Sequence, residues 1–344
     1  MTRTVLVLSS GDGTGLNFTR CLRMAGGWRT VGVDGSLADF HCSEADERHL
    51  MTGADEDELM RCLVRLVERY RPDLVYAADT SWLLDVVSRR RAEIGAALLL
   101  PDYDDHVRME DKWSTWLALA AAGLATPPTE LVDGLDALRR MVDRYGRVWL
   151  RRRSGSAGAG SVATDSADFA RAWVERENGW GHFTVAQCLT SRTATFSGLW
   201  HDGALVASQL RERLGWQYPS LSASGVTGIT GAQRTIWDPA LHEQAVSCVF
   251  ALASRPHGIV GVDFTYDADG RALPTEVQPA RFYSSMQFLA EVGLNFPALY
   301  CQVALDGPPG QRPLVNPIRT EHYWVKNVDR LPRLLTADEY FVAK

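Results

Sequence analysis

Two stretches of this chain, more than a hundred positions apart, carry residue types suited to a single piece of chemistry. Residues 147–161 read Arg-Val-Trp-Leu-Arg-Arg-Arg-Ser-Gly-Ser-Ala-Gly-Ala-Gly-Ser. An apolar strand thus delivers Arg151, Arg152 and Arg153 into a loop whose small residues include Ser154, Gly155, Ser156, Gly158 and Gly160. Such a loop lets backbone N–H groups converge on anionic oxygens, while guanidinium groups neutralise charge and donate several hydrogen bonds each. The pattern suits a polyphosphate. A flexible surface linker is the competing reading, but a linker does not need the apolar flanks Val148-Trp149-Leu150 and Val162-Ala163.

The second stretch, residues 258–278, reads as two strands about the turn Asp267-Ala268-Asp269-Gly270. With Asp267 paired to Gly270, Asp263 falls opposite Pro274, and the period of two places Asp263, Glu276 and Gln278 on one face. Magnesium takes one or two carboxylates and fills its remaining positions with phosphate oxygens and water. Asp263 and Glu276, with the Gln278 amide oxygen, fit that demand, and manganese would suit the same donors. A one-residue bulge would reverse the parity, and a row of acids turned to solvent is the plain alternative.

The elements that must position these groups sit in a chain of 344 residues, 46% hydrophobic and 23% charged, an ordinary globular composition. No apolar run approaches the roughly eighteen residues of a membrane span, and the N-terminus lacks the sections of a signal peptide, so a cytoplasmic protein is expected. The net charge of −6 argues against a nucleic-acid binder and makes a small anion the expected partner of the local arginine clusters. Six cysteines, at 21, 42, 62, 188, 248 and 301, form no close pairs and no zinc spacing, and read as reduced thiols.

Periodicity predicts strands over 4–8, 30–33, 74–77 and 97–100 alternating with helices over 17–25, 55–70 and 81–90, the pattern of a parallel sheet covered by helices. Gly11-Asp12-Gly13-Thr14-Gly15 and Asp34 only loosely match a dinucleotide-binding site, so a tight turn is expected there. A connection over 101–106 leads to a helix over 109–122 that begins with Glu110 and Asp111 and carries Lys112 near its start. Next come a strand, a helix over 135–145, a strand, the glycine loop, a short strand, a helix over 167–177 and a strand over 183–185. Beyond a hinge, strands over 193–200 and 205–211 precede an irregular stretch over 222–231 and a helix from Asp238-Pro239 to 253. The tail, 311–344, contains the strand-like His322-Tyr323-Trp324-Val325 and could pack on the core, cover the site or contribute to a homodimer.

This order resembles the ATP-grasp superfamily, in particular the branch related to carbamoyl-phosphate synthetase large subunits and carboxylate-amine ligases. The likeness runs over about residues 4–305 and rests on Asp111-Lys112 with the later Gly123 and Pro127-Pro128, on residues 150–161, on Asp238-Pro239, and on 261–281. It implies an α/β protein, α+β in its catalytic part. A Rossmann-like N-terminal domain (1–105) precedes a linking helix and small lobe (106–186), a large lobe (187–310) and a C-terminal extension (311–344). It further implies that ATP lies between the lobes. Lys112 would approach the phosphates, Arg151 would stand in place of the usual lysine, Arg153 would lie beside it, and residues 154–161 would close over the γ-phosphate. Gln187 and Leu189 would mark the adenine hinge, Arg281 would meet the reacting carboxyl phosphate, and Arg211 would lie on the substrate side.

Several positions depart from the family pattern. The hinge Val185-Ala186-Gln187-Cys188-Leu189 lacks the glutamate often found there, Gln278 replaces an asparagine, and Ala280 intervenes before Arg281. The implied activity is a magnesium-dependent carboxylate-amine ligase that passes through an acyl phosphate and releases ADP and phosphate, with small-molecule carboxylate and amine substrates. Bicarbonate or carbamate as the phosphorylated acid, and a non-catalytic nucleotide-binding module, are the alternatives. The acceptor pocket is expected from scattered loop residues, 222–230 among them.

Overall fold

A computed structural model, describing residues 2–51, 55–77, 81–155, 158–280, 282–310, 312–327 and 330–338, shows three sheets. The first is built from β1 (Arg3–Leu8), α1 (Gly13–Ala25), β2 (Trp28–Asp34), α2 (Leu37–Cys42), β3 (Glu47–Leu50), α3 (Glu56–Tyr70), β4 (Leu74–Ala77) and α4 (Ser81–Arg89). Its strands run parallel in the order β3-β2-β1-β4. β1 is apolar on both faces because both are covered. Leu6 and Leu8 pack with α3 and α4, whereas Val5 and Val7 join a different cluster shared with Leu199, Ile259, Phe288 and Tyr300 from later in the chain.

The glycine-rich segment after β1 is the start of a helix, not a free turn. Asp12 caps α1, its carboxylate accepting from the amides of Thr14 and Gly15, both at 2.7 Å. Asp34 accepts from the Ser10 hydroxyl (2.6 Å) and the Gly11 amide (2.8 Å), so both its oxygens serve the fold rather than a ribose. The strand expected over 97–100 reduces to one bridge, Leu74 to Ala97. The Leu99 carbonyl is instead taken by the Tyr300 hydroxyl at 2.8 Å, and a Cβ at Gly258 would stand 2.7 Å from the same oxygen.

The single helix expected over 109–122 is two helices, α5 (Tyr103–Glu110) and α6 (Lys112–Ala121). Asp111 between them is extended (φ −84, ψ 106) and caps α6 through the amides of Trp113 and Ser114. The small sheet follows: β5 (Thr129–Leu131), α7 (Leu135–Tyr145), β6 (Val148–Arg152), β7 (Val162–Thr164), α8 (Ala167–Arg176) and β8 (Phe183–Gln187), ordered β5-β8-β6-β7 and antiparallel. Leu138, Met141, Ala170 and Val174 seat the two helices on its core.

The large antiparallel sheet comprises β9 (Thr193–His201), β10 (Ala204–Trp216), β11 (Thr230–Ile236), β12 (Gly258–Tyr266) and β13 (Ala272–Pro279), with α9 (Pro239–Leu252) against one face. The other face carries α10 (Gln287–Glu291) and α11 (Phe296–Asp306). The tail completes this sheet. β14 (Leu314–Val315) pairs with β10, while β15 (Tyr323–Asn327) and β16 (Arg330–Leu335) extend the order to β13-β12-β9-β10-β11-β15-β16. Trp324 is fully buried against Phe288, so of the roles open to this segment, packing on the core is the one observed.

Candidate active site

The hairpin β12–β13 brings its acids together by a route the sequence did not suggest. Asp267 pairs with Arg271 rather than Gly270, because Gly270 adopts φ +80 in a three-residue loop, and this offsets the register by one. A bulge at Thr275 offsets it again, so Phe264 pairs with Pro274 but Asp263 with Glu276. The two offsets add up to two residues, which keeps the parity and moves Glu276 from the diagonal to the place across from Asp263. Asp263 and Glu276 therefore stand directly opposite on one face, with Gln278 beside Asp263 across from Gly261. Among the described residues no group of three or more His, Cys, Asp or Glu could hold a metal, so a cation at this hairpin would have these two carboxylates and would need further oxygens from a ligand or water.

The bulge also connects the lobes. The Thr275 carbonyl accepts from Arg151 of β6 at 2.5 Å, and Thr275 Oγ1 donates to the Asp263 carbonyl at 3.1 Å. Arg151 Nε is buried and without a partner. Burial pulls this guanidinium below its ordinary value, against the opposing pull of Glu276 and Asp263. Lys112, at the start of α6, is 8% exposed; its ammonium donates to the Gly155 carbonyl (2.8 Å) and lies 3.4 Å from Glu276 Oε1. Isolated near a helix start a lysine reads as a solvated charge, but here it ties the glycine loop to the acidic hairpin.

Between the two sheets lies a cavity of about 630 Å³, with Lys112, Arg151, Asp263, Glu276 and the hinge residues Gln187 and Leu189 on its walls. Ser154, Gly155 and Gly158 border it from the loop. Gly158 has φ +67, and a Cβ there would stand 2.6 Å from the Val226 carbonyl, so only glycine lets the loop come this close to the large sheet's connection. Ser161 Oγ donates to Ser224 Oγ at 3.1 Å across the same junction.

Other expected residues are placed elsewhere. Arg153 leaves the cleft for Asp111, which takes its Nε at 3.1 and 3.2 Å and its terminal nitrogen more closely, while Lys112 N–H donates to the Arg153 carbonyl at 2.9 Å. Gly160 does not border the cavity; its carbonyl accepts from Trp173 Nε1 at 2.8 Å. Gln278 is also off the wall, its Nε2 donating to Asp263 Oδ2 at 3.3 Å, so it orients a carboxylate instead of offering an oxygen. Arg211 lies beyond the cavity wall, 3% exposed, stacked 3.8 Å above the Tyr283 ring. Ser156 and Arg281 lie outside the described residues.

Two contributors escaped the sequence reading. Arg213 borders the cavity, donates to Thr230 Oγ1 (3.0 Å) and Thr193 Oγ1 (2.9 Å), and is held down to about 10, chiefly by burial. It was hidden because β10 runs to Trp216, five residues past the expected end of the strand. Thr195 donates to Asp263 Oδ1 at 2.6 Å, a partner that only the β9–β12 pairing brings near.

No family model matches this sequence, and no curated protein matches it either. Solved structures do match by shape. Biotin carboxylase from Campylobacter jejuni aligns with a TM-score of 0.71 at 15% identity over 94% of this chain and 75% of that one. The L-amino acid ligase of Bacillus licheniformis gives 0.69 at 14% over 94% and 79%, and N5-carboxyaminoimidazole synthetase of Staphylococcus aureus 0.68 at 13% over 94% and 82%. The chain has the ATP-grasp fold. At such identities the likeness is one of architecture. In this ATP-grasp fold the small sheet carries Arg151 and the glycine loop, the large sheet carries Asp263 and Glu276, and the N-terminal parallel sheet packs behind the latter.

Proposed function

We propose that this protein is an ATP-dependent ligase joining a small carboxylate to an amine through an acyl phosphate. The observation that carries the reading is the meeting of Arg151 and Lys112 with Asp263 and Glu276 across one cavity: Lys112 Nζ is 3.4 Å from Glu276, and Arg151 bonds the bulge beside it. A cleft with cations on one wall and two carboxylates on the other suits a triphosphate whose charge is shared between protein cations and a divalent metal. The donors fit magnesium: two opposed carboxylates, oxygen only, with room for phosphate oxygens. Bound there, the metal would neutralise phosphate charge.

The chain's own residues then do positional work. Arg151, with its unpartnered buried Nε, and Lys112 bind phosphate oxygens; Thr195 and Gln278 hold Asp263 in place; Ala186, Leu189 and Phe264 offer apolar walls for the base. A carboxylate oxygen of the substrate attacks the γ-phosphorus and ADP leaves. The amine nitrogen next attacks the acyl carbon, losing a proton, and inorganic phosphate departs. An acyl phosphate hydrolyses readily in water, and Gly158 and Ser161, seated against Val226 and Ser224 at the cavity's border, would help to keep water out.

Incubation with ATP, magnesium and a panel of carboxylates and amino acids is expected to release ADP and phosphate; AMP and pyrophosphate would contradict the mechanism. Bicarbonate is a second candidate for the acid. The 2-oxoglutarate carboxylase domain of Hydrogenobacter thermophilus, a dimer with MgADP and bicarbonate, shares this architecture at 15% identity. ADP formation with bicarbonate alone would favour that acid, and the same relative makes a homodimer a reasonable assembly to test by light scattering.

A further inference from the structure

The nucleotide cleft leaves one buried polar cluster unused. On β10 and β11, beyond Arg213, Arg211 is 3% exposed and Gln233 fully buried. Arg211 donates to Gln233 Oε1 and to Thr230 Oγ1 (3.2 Å), and Ser285 Oγ donates to the same Gln233 oxygen at 3.3 Å. Two donors on the oxygen fix which way the amide points. Gln233 Nε2 is then left without a partner, and so is Arg211 Nε. Buried donors without acceptors are rare in folded proteins, and a pair of them side by side asks for an acceptor.

Lys326, on β15, closes this cluster. Its ammonium donates to the Ser284 carbonyl at 2.6 Å, an oxygen that Asn17 of α1 also reaches at 3.1 Å. Burial first, and then the neighbouring cations Arg211 and Arg20, hold it down to about 8. Gly13 of α1 is packed so that a Cβ would lie 3.2 Å from Ser284 Cβ. Thus the parallel sheet's first helix, the large sheet and the C-terminal strand converge on donors and positive charge. Thr230 Oγ1, shared by Arg211 and Arg213, joins this cluster to the wall of the nucleotide cavity.

We propose that Arg211, Gln233 and Lys326 form a seat for an anionic group of the substrate that reacts with ATP, and that Lys326 sets the preference for that group. The inference rests on the ligase reading above. The shared chemistry is a carboxylate or a phosphate monoester: either supplies acceptors for two orphaned donors and a counter-charge for the lysine. Because the seat adjoins the Arg213 end of the cavity, an anion held there leaves the rest of the substrate directed toward the transferred phosphate.

The test is thermal unfolding of the full chain with magnesium and a nonhydrolysable ATP analogue, to which α-amino acids, simple monocarboxylates or inorganic phosphate are added in separate arms. Wild type is expected to gain about 2 °C or more in one arm, which identifies the anion. Lys326→Met should keep the nucleotide shift while binding that anion about tenfold or more weakly, and Lys326→Arg should recover it. Should Lys326→Met fail to fold, Lys326→Gln, uncharged but still a donor to Ser284, is read in its place. An unchanged anion response in the uncharged variant, or no response of wild type in any arm, overturns the proposal. Loss of the nucleotide shift in wild type overturns the ligase reading instead.

Discussion

Arg151 and Arg153 have the same parity along one strand, yet they face different tasks. β6 ends at Arg152, so Arg153 has already left the pleat and turns to Asp111, whereas Arg151 remains on the strand facing Thr275 and Glu276. The sequence made three arginines and a glycine-rich loop legible, but not which arginine would be diverted, because the partner, Asp111, lies forty-two positions away. Arg151→Met is expected to weaken ATP-analogue binding by about 1.5–3 kcal/mol with little change in melting temperature, the range for hydrogen bonds to charged groups. Arg153→Met should do the converse, losing about 1 kcal/mol of stability from a partly exposed ion pair while the folded protein binds nucleotide normally. Calorimetry beside thermal denaturation separates the two.

Elements were most readable where a local pattern decides them. The helix expected over 135–145 is α7 to the residue, and the hairpin's two acids share a face as expected, though in a different register. The break between α5 and α6 was not readable, since helical periodicity runs through Asp111, whose carboxylate is held both by the local amides of Trp113 and Ser114 and by the distant Arg153. α5 carries a consequence of its own. His106 is 1% exposed, stacked near Tyr103, with Nδ1 unpartnered, and burial holds it down to about 4 from an ordinary 6.5. The unfolded chain therefore takes up this proton first. Stability from this group is complete above pH 6.5 and declines as pH falls toward 4, by about 3 kcal/mol in all. His106→Gln should show a flatter decline than wild type over that window in pH-dependent chemical denaturation.

At the scale of the molecule, the large sheet and the parallel sheet are one body of packing, while the small sheet keeps a core of its own. A single cluster joins Val5 and Val7 of β1, Phe18 of α1, Leu199 and Ile259 of the large sheet, Tyr300 of α11 and Trp324 of β15. Alternating strands and helices identified the parallel sheet in sequence, but its sharing of a core with residues nearly three hundred positions away depends on tertiary contacts that local periodicity does not encode. Of the C-terminal strands, β15 was legible at 322–325, but β14 and β16 were not, being short and paired, among the described residues, to β10 and β15. Since Trp324 is fully buried against Phe288, Trp324→Ala is expected to cost about 3–5 kcal/mol, a large share of a typical domain's stability, measured by urea unfolding.

Arg151 of the small sheet, Lys112 of α6 and the two acids of the large sheet line one cavity, where we propose that they grip one magnesium nucleotide. Isothermal titration of a nonhydrolysable ATP analogue, with and without magnesium, into wild type and Glu276→Gln tests it most directly. One nucleotide per chain, with tight binding that depends on magnesium in wild type and a dependence largely lost in Glu276→Gln, is the predicted result. Binding that ignores both the metal and the substitution, or no binding at all, would contradict the account.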